Sequence, residues 1–191
     1  MTYMKETNMY ENMKAVRKTL EKTKLEMKQN IKVTEISGKK NKWLTFQIDI
    51  KTLKAPHFID ITDYVKNIVL KSKIKDGHVS VFSRHTTTAV RIQENEPRLL
   101  NDFVGFLESV APEKYPYNHN DLEARSQSPD GNMTEDESLN GHSHCRHLLM
   151  GSSETIPVIN GKMCLGIWQR IFAIELDRPR ERSIIVQVLG Y

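Results

Sequence analysis

One stretch near the carboxyl end decides the fold class: Thr155-Ile156-Pro157-Val158-Ile159-Asn160-Gly161-Lys162-Met163. An Asn-Gly pair between two apolar runs favours a two-residue β-hairpin turn, because both residues tolerate a positive φ. The strand before the turn, residues 155–159, and the strand after it therefore run antiparallel. We expect the second strand to be long, from Met163 to Leu176, with an interruption at Gly166.

The rest of the chain adds strands and helices to this hairpin. Apolar and polar residues alternate from Leu44 to Ile50, as in a half-buried strand. Further strands are expected at 79–82, 86–92 and 183–189. A helix capped by Thr62 or Asp63 and a helix starting at Pro97, with a broad apolar face expected in the core, complete the pattern. The prediction is an α+β domain with mostly antiparallel sheet and two or three helices.

Charge separates the amino-terminal stretch from the body. The chain has 191 residues, enough for one domain with an appendage. Residues 1–42 hold eleven Lys and Arg against five Asp and Glu, whereas residues 43–191 hold seventeen against nineteen. Residues 8–28 follow a helical spacing, so residues 1–30 are expected to form a basic helical extension to a domain at 31–191. A near-neutral body argues against a nucleic-acid-binding domain.

Composition also bears on the compartment. No window approaches the ~20 apolar residues that a membrane span needs. The first thirty residues hold no apolar run suited to a secretory signal, so a cytoplasmic protein is expected. The two cysteines, Cys145 and Cys164, do not form a disulfide framework or a Cys-x-x-Cys site.

Three of the seven histidines, His142, His144 and His147, lie within six positions. Neutral imidazole is the commonest metal ligand in proteins. On a helix His144 and His147 share a face, whereas on a strand His142 and His144 do, so regular structure does not aim all three at one ion. One histidine from this cluster, joined by His85 and His119 from elsewhere, makes a more economical site. The alternative is that these histidines are structural or exposed.

Other polar motifs suit phosphate. His85 is followed by three threonines, residues 151–153 form a Gly-Ser-Ser turn, and residues 178–182 hold three arginines. Guanidinium groups make bidentate contacts with phosphate oxygens. Glu94 is either a general base or an acid at the entry of the helix that begins at Pro97. A threonine-rich strand and a solvated basic turn are the structural alternatives for the other motifs.

Taken in order, these elements resemble the YjbQ family, whose members are described as secondary thiamine-phosphate synthases. The resemblance covers residues 31–191 and is carried by Ile59-Asp60-Ile61-Thr62-Asp63, Asp76-Gly77, His85-Thr86-Thr87, Glu94-Asn95, His119-Asn120, Asn140-x-x-Ser143-His144, Gly151-Ser152-Ser153, Leu165-Gly166-x-Trp168-Gln169 and Pro179-Arg180-x-Arg182. The segment between His119 and Asn140 is longer than the family pattern. Residues before Ile31 have no counterpart in that pattern.

The resemblance implies a fold and a set of site residues. The fold is a two-sheet β-sandwich assembled as a homotrimer. The family histidines fall on His85, His119 and His144, as ligands of a divalent metal ion such as zinc, another transition metal or magnesium. The phosphate contacts it implies are Thr86, Thr87, Ser152, Ser153, Arg180 and Arg182. Glu94 is the acid/base candidate.

The implied reaction joins a pyrimidine diphosphate to a thiazole phosphate, giving thiamine phosphate and pyrophosphate, so phosphorylated small molecules are the expected substrates. An alternative is a non-catalytic trimeric module that binds an anionic metabolite in the same pocket. A further alternative places the function in the basic amino-terminal helix, as a contact for membrane or nucleic acid.

Overall fold

A computed structural model describes residues 30–37, 43–127 and 138–191 of the chain. Residues 33–191 form one unit by their contacts. The predicted basic extension over residues 1–30, with its helix at 8–28, lies outside the described residues apart from Asn30, so it stays a prediction.

Nine strands form two sheets among the described residues. The strands are β1 Ile31–Ser37, β2 Trp43–Lys51, β3 His57–Asp60, β4 Gly77–Ser83, β5 Thr88–Gln93, β6 Ser153–Ile159, β7 Lys162–Met163, β8 Arg170–Glu175 and β9 Glu181–Gly190. The larger sheet has the order β1-β2-β9-β4-β6-β7, and the smaller has the order β3-β8-β5. The strand pairs β2–β9, β4–β9, β4–β6, β6–β7, β3–β8 and β5–β8 are all antiparallel. The predicted class, with two mostly antiparallel sheets, is confirmed.

The larger sheet buries one face through the alternation seen in the sequence. On β2, Phe46, Ile48 and Ile50 are buried, and the residues between them are half-buried. On β9 the buried set continues from Arg182 through Ile184 and the valines that follow at every second position. Successive side chains of a strand point to opposite faces of the sheet, so apolar residues at every second position are enough to bury one face. Arg182 is the single charged member of the buried set on β9.

The smaller sheet has a fully buried central strand. On β8, every residue from Ile171 to Glu175 is buried. A cluster of Ala89, Leu107, Phe172, Ile174 and Leu176 forms its core and brings in a neighbouring helix. Glu175 is a buried charged residue at the carboxyl end of β8, just before the loop that leads to β9.

The described residues contain four α-helices and one short 3₁₀ turn. They are α1 Thr62–Ser72, α2 Pro97–Val110, α3 Leu122–Ser126, α4 Gly141–Met150 and the 3₁₀ turn Asn118–Asn120. Helix α1 contacts strands of both sheets and buries Val65, Ile68 and Val69, as its spacing predicted. Its first amide is capped by Asp60 Oδ1, 3.0 Å from Thr62 N, rather than by Thr62 or Asp63.

Helix α2 begins as predicted, with Pro97 in its first turn and the carboxylate of Glu96 accepting two helix amides. Its broad apolar face is not wholly in the core, contrary to expectation. Leu107 is fully buried, whereas Val104, Phe106 and Val110 are exposed. The helix therefore packs on the small sheet through Leu107, while much of its apolar face stays exposed.

The Asn160-Gly161 hairpin is confirmed, with φ of 51° and 73° at its two residues. The long strand predicted from Met163 to Leu176 is wrong. After two residues of β7 the chain leaves the large sheet, crosses a loop at 164–169, and enters the small sheet as β8. Gly166, where we expected a mere interruption, lies in this crossing. No helix in the described part of the chain is long and apolar enough to span a membrane.

Candidate functional site

A cavity of about 350 Å³ lies where four connecting segments meet. The segments are the loop after β4, the 3₁₀ turn with α3, the start of α4, and the loop between β8 and β9. The lining residues are Arg84, His85, Thr86, Thr87, His119, Arg125, Ser138, Asn140, His144, Asp177, Arg180 and Arg182. The predicted histidines and four of the six predicted phosphate contacts are thus brought together.

Arg182 and Glu175 form a buried ion pair behind the cavity wall. Arg182 Nε lies 2.5 Å from Glu175 Oε2, and Arg182 Nη2 lies 2.7 Å from Oε1. Oε1 also accepts the amides of Leu176 and Asp177. Glu175 is thus the ion-pair partner of Arg182 and offsets the positive charge of the arginine beside it. Arg182 keeps one donor contact to the site, from Nη2 to Thr87 Oγ1 at 3.0 Å.

Asp177 orients the side chain of Arg180 through an ion pair. Arg180 Nε lies 2.9 Å from Asp177 Oδ2, and the Asp177 side chain is 4% exposed. Arg180 Nη2 donates to Ser138 Oγ at 3.3 Å, so the guanidinium is held from two sides. Its backbone amide donates to Thr52 Oγ1, which fixes the loop between β8 and β9 against the end of β2.

His119 and His144 lie edge to face. Their ring centroids are 4.6 Å apart with an interplanar angle of 66°. Burial lowers the pKa of His144 below its ordinary value, and the adjacent His119 lowers it further. Two close imidazoles disfavour a double positive charge, so His144 is neutral near pH 7.

A glycine makes this pair of histidines possible. A Cβ on Gly141 would lie 2.5 Å from Tyr117 Cβ, so only glycine lets the start of α4 approach the segment before the 3₁₀ turn this closely. Asn120 Oδ1 accepts the Gly141 amide at 2.9 Å and joins the two segments. Asn140 is buried beside them, and its Oδ1 has no hydrogen-bond partner among the described residues.

His85 is fixed from the other side of the cavity. Its Nε2 accepts the backbone N–H of Ser183, on β9, at 2.9 Å. Burial lowers the pKa of His85, and the positive charge of Arg182 acts in the same direction. The ring is therefore neutral near pH 7.

The side chains present do not fit the three-histidine metal site that the family resemblance implies. A metal ligand must offer a nitrogen lone pair, and the Nε2 lone pair of His85 is committed to the Ser183 amide. Within residues 30–37, 43–127 and 138–191, no three His, Cys, Asp or Glu side chains are grouped so that they could hold a metal ion. The metal ion stays a prediction.

Three of the predicted site residues lie outside the cavity lining. Glu94 follows β5, and its amide donates to Gln93 Oε1. Ser152 Oγ lies 3.1 Å from His147 Nε2, and Ser153 begins β6. His142 and His147 are also absent from the lining. His142 Nε2 contacts Ser143 Oγ, and His147, although it shares a face of α4 with His144, contacts Ser152.

The motif that contains Glu94 has a structural role through its neighbour. Asn95 Nδ2 donates to Asp60 Oδ2 at 2.9 Å, and the same oxygen accepts Arg170 Nε at 2.8 Å. Asp60 thus ties the end of β3, the end of β5 and the start of β8 together.

Several residues that line the cavity were not predicted from the sequence to belong to the site. Arg84 precedes His85 directly, and Asp177 precedes the arginine-rich turn, so proximity to the predicted motifs was the available signal. Arg125 and Ser138 flank a segment without periodicity, which offers no such signal. Asn140 was noted for its spacing but not assigned to the site.

Comparison with known proteins matches this chain to one family. The model of the UPF0047 protein YjbQ-like family covers residues 46–191. A UPF0047 protein of Methanothermobacter thermautotrophicus is 42% identical over 146 residues, which are 76% of this chain and 92% of the relative. The UPF0047 protein YugU of Bacillus subtilis is 29% identical over 144 residues, which are 75% of this chain and 97% of the relative.

Solved structures agree. A YbjQ-like protein of unknown function from Sulfolobus solfataricus matches with a TM-score of 0.69 and 33% identity, over 78% of this chain and 99% of that one. A hypothetical protein from Aeropyrum pernix matches with a TM-score of 0.67 and 32% identity, over 77% of this chain and 98% of that one. The family model, the relatives and the fold all agree, and the chain belongs to the UPF0047 family of YjbQ-like proteins.

Proposed function

We propose that the cavity binds a phosphorylated small molecule. The observation that carries the proposal is charge: among the described lining residues there are four arginines and one carboxylate, Asp177. Asp177 pairs with Arg180 and Glu175 pairs with Arg182, whereas Arg84 has no ion-pair partner among the described residues and adds positive charge to the cavity. A cleft lined by one sign of charge concentrates ligands of the opposite sign.

Two further features support a phosphorylated metabolite over a simple inorganic anion. The cavity volume of about 350 Å³ is at the lower end of the range for small-molecule sites. The unpartnered Oδ1 of Asn140 is a buried acceptor, which suits a hydroxyl or amino group on the non-phosphate part of a ligand.

The reaction we propose is the one implied by the family resemblance. The thiazole nitrogen attacks the methylene carbon of a pyrimidine diphosphate, the C–N bond forms, and the C–O bond to the diphosphate breaks with its electron pair leaving on pyrophosphate. Arg84 and Arg180 would stabilise the departing charge, as preorganised cations do in phosphate sites. Holding both substrates together contributes on the order of 7–11 kcal/mol at best.

A non-catalytic binding module is the second candidate. One observation favours it: Glu94 lies outside the lining, and the one carboxylate in the described lining, Asp177, is engaged with Arg180. The proposed transfer is compatible with the same lining, because the thiazole nitrogen attacks without losing a proton and needs no strong general base.

Pyrophosphate release with both substrates, against each substrate alone, tests the proposal. We expect release that requires both substrates, with kcat reduced about tenfold or more in His144→Ala and unchanged in His78→Ala, whose side chain is exposed on β4. Binding of both substrates without release would favour the binding module. Absence of both binding and release would overturn the phosphorylated-ligand proposal.

We also propose that the chain assembles as a homotrimer. The exposed Val104, Phe106 and Val110 on α2 support a subunit interface, because monomers rarely expose large apolar patches. Sedimentation equilibrium is expected to give a mass near three chains, and a monomeric mass at micromolar concentration would contradict this.

A further inference from the structure

The contact between His85 and Ser183 determines which nitrogen of His85 carries the proton. The donor is the backbone N–H of Ser183, because a backbone N–H can donate a hydrogen bond but cannot accept one. The acceptor is His85 Nε2, at 2.9 Å. Nε2 must therefore hold a lone pair. A neutral imidazole has one proton, so that proton is on Nδ1.

Nδ1 is the ring nitrogen left for a ligand. No residue that the structure describes makes a hydrogen bond with His85 Nδ1, and the His85 side chain lines the cavity between Arg84 and Thr86. An N–H group at such a position recognises an oxygen lone pair, such as that of a phosphate, and repels a cation.

We propose that His85 is a hydrogen-bond donor to an anionic ligand through Nδ1–H, and neither a metal ligand nor a general base. The proposal rests on the anion-binding function above, and it assigns a specificity-determining contact within that function. It also accounts for the poor fit of a three-histidine metal site. A metal ion bound at Nε2 would displace the hydrogen bond from Ser183, and a metal ion bound at Nδ1 would displace the ring proton.

The ligand class follows from the neighbours of this donor. Arg84 is exposed and has no ion-pair partner among the described residues, and Thr86 is exposed as well. Together with Nδ1–H they present a cation, a hydroxyl and a neutral donor from three consecutive residues. A phosphate group, with several acceptor oxygens, matches this set better than a carboxylate does.

Nitrogen NMR of the wild-type protein tests the tautomer directly. In ¹⁵N-labelled protein, the His85 ring, assigned by its loss in His85→Gln, is expected to show a protonated Nδ1 and a lone-pair Nε2. Zinc chloride is expected to leave both resonances in place, whereas inorganic pyrophosphate shifts Nδ1–H. A proton on Nε2, or a zinc-dependent shift of either nitrogen, would overturn the proposal.

Two variants test the same point by affinity. The carboxamide of asparagine falls near the Nδ1 position and keeps a donor there, while that of glutamine falls near Nε2 and keeps the acceptor for Ser183. Pyrophosphate affinity measured by calorimetry is expected to drop about threefold or less in His85→Asn and about tenfold or more in His85→Gln. His78→Gln serves as the surface control. The reverse order would refute the role of Nδ1–H.

The outcomes separate the two proposals. If pyrophosphate binds while Nε2 carries the proton, anion binding stands and the role of His85 fails. If the predicted tautomer is present but pyrophosphate does not bind, the anion-binding function fails and the role of His85 fails with it.

Discussion

At the residue scale, Arg182 and Glu175 form an ion pair in which both side chains are buried. Glu175 is fully buried and accepts from two nitrogens of Arg182 and two backbone amides. Removing one partner of such a pair strands a charge in the interior, whereas removing both leaves an apolar contact. The family resemblance predicts Arg182 as a phosphate contact, and nothing along the chain reveals that Glu175 lies within hydrogen-bond distance of it.

We predict that Arg182→Met lowers the free energy of unfolding by about 3–5 kcal/mol, because Glu175 is left buried without its partner. The double variant Arg182→Met/Glu175→Leu is expected to recover most of that loss. Arg91→Met, at a half-exposed pair with Glu154, is the control and is expected to cost at most about 1 kcal/mol. Urea denaturation gives all three values. Equal losses in the single and double variants would contradict the ion-pair account.

His57 gives stability a pH dependence. The residue is buried at the start of β3, and its Nδ1 accepts the Leu53 amide at 3.3 Å. Burial lowers the pKa of His57, and the nearby Lys54 lowers it further. The unfolded chain therefore takes up a proton at a higher pH than the folded one does, so stability is full above the ordinary histidine range and falls as pH drops below about 6.5.

We expect His57→Asn, which keeps an acceptor near the Nδ1 position, to lose less stability than the wild type when pH falls from about 7.5 to about 5. The measurement is the unfolding free energy by denaturant titration across that interval. His78→Gln, at an exposed position, provides the matched control. A wild-type decline that the His57 variant reproduces in full would show that other groups cause it.

At the element scale, the site depends on how close α4 comes to the segment before it. The sequence predicted no regular structure over residues 111–141, yet the described part of this stretch contains the 3₁₀ turn and α3. Short polar turns of this kind have no apolar periodicity to reveal them. The helix α4 was left open as helix or strand, because both assignments fit the histidine spacing.

Gly141 tests this packing. We predict that Gly141→Ala lowers unfolding free energy by about 1–3 kcal/mol and weakens ligand binding, since its Cβ would meet Tyr117 at 2.5 Å. Gly105→Ala, on α2 with nothing within 4 Å, is the control and is expected to stabilise by about 0.4–1 kcal/mol. Thermal melts with and without pyrophosphate supply both readouts. A Gly141 variant as stable as the Gly105 variant would show that the close approach is not required.

At the scale of the whole molecule, alternation and turn chemistry predicted the class of fold, and packing decided the rest. The hairpin at Asn160-Gly161 and the alternation of β2 and β9 were readable because they are local. The switch of the chain from the large sheet to the small one at residues 164–169 was not readable, since apolar residues on both sides of Gly166 suggest a single long strand. His85, His119 and His144 were predicted to converge, and they line one cavity. The sequence did not reveal that the backbone N–H of Ser183 donates to His85 Nε2.

The central claim is that the cavity binds a phosphorylated anion through its positive charge, and calorimetric titration of inorganic pyrophosphate into the wild type, Arg84→Gln and Arg91→Gln tests it most directly. Arg84 lines the cavity, while Arg91 is an exposed arginine on β5 outside the cavity lining. We predict saturable binding to the wild type, an affinity about tenfold lower or weaker still in Arg84→Gln, and no change in Arg91→Gln. Equal weakening in both variants, or no binding to the wild type, would contradict the claim.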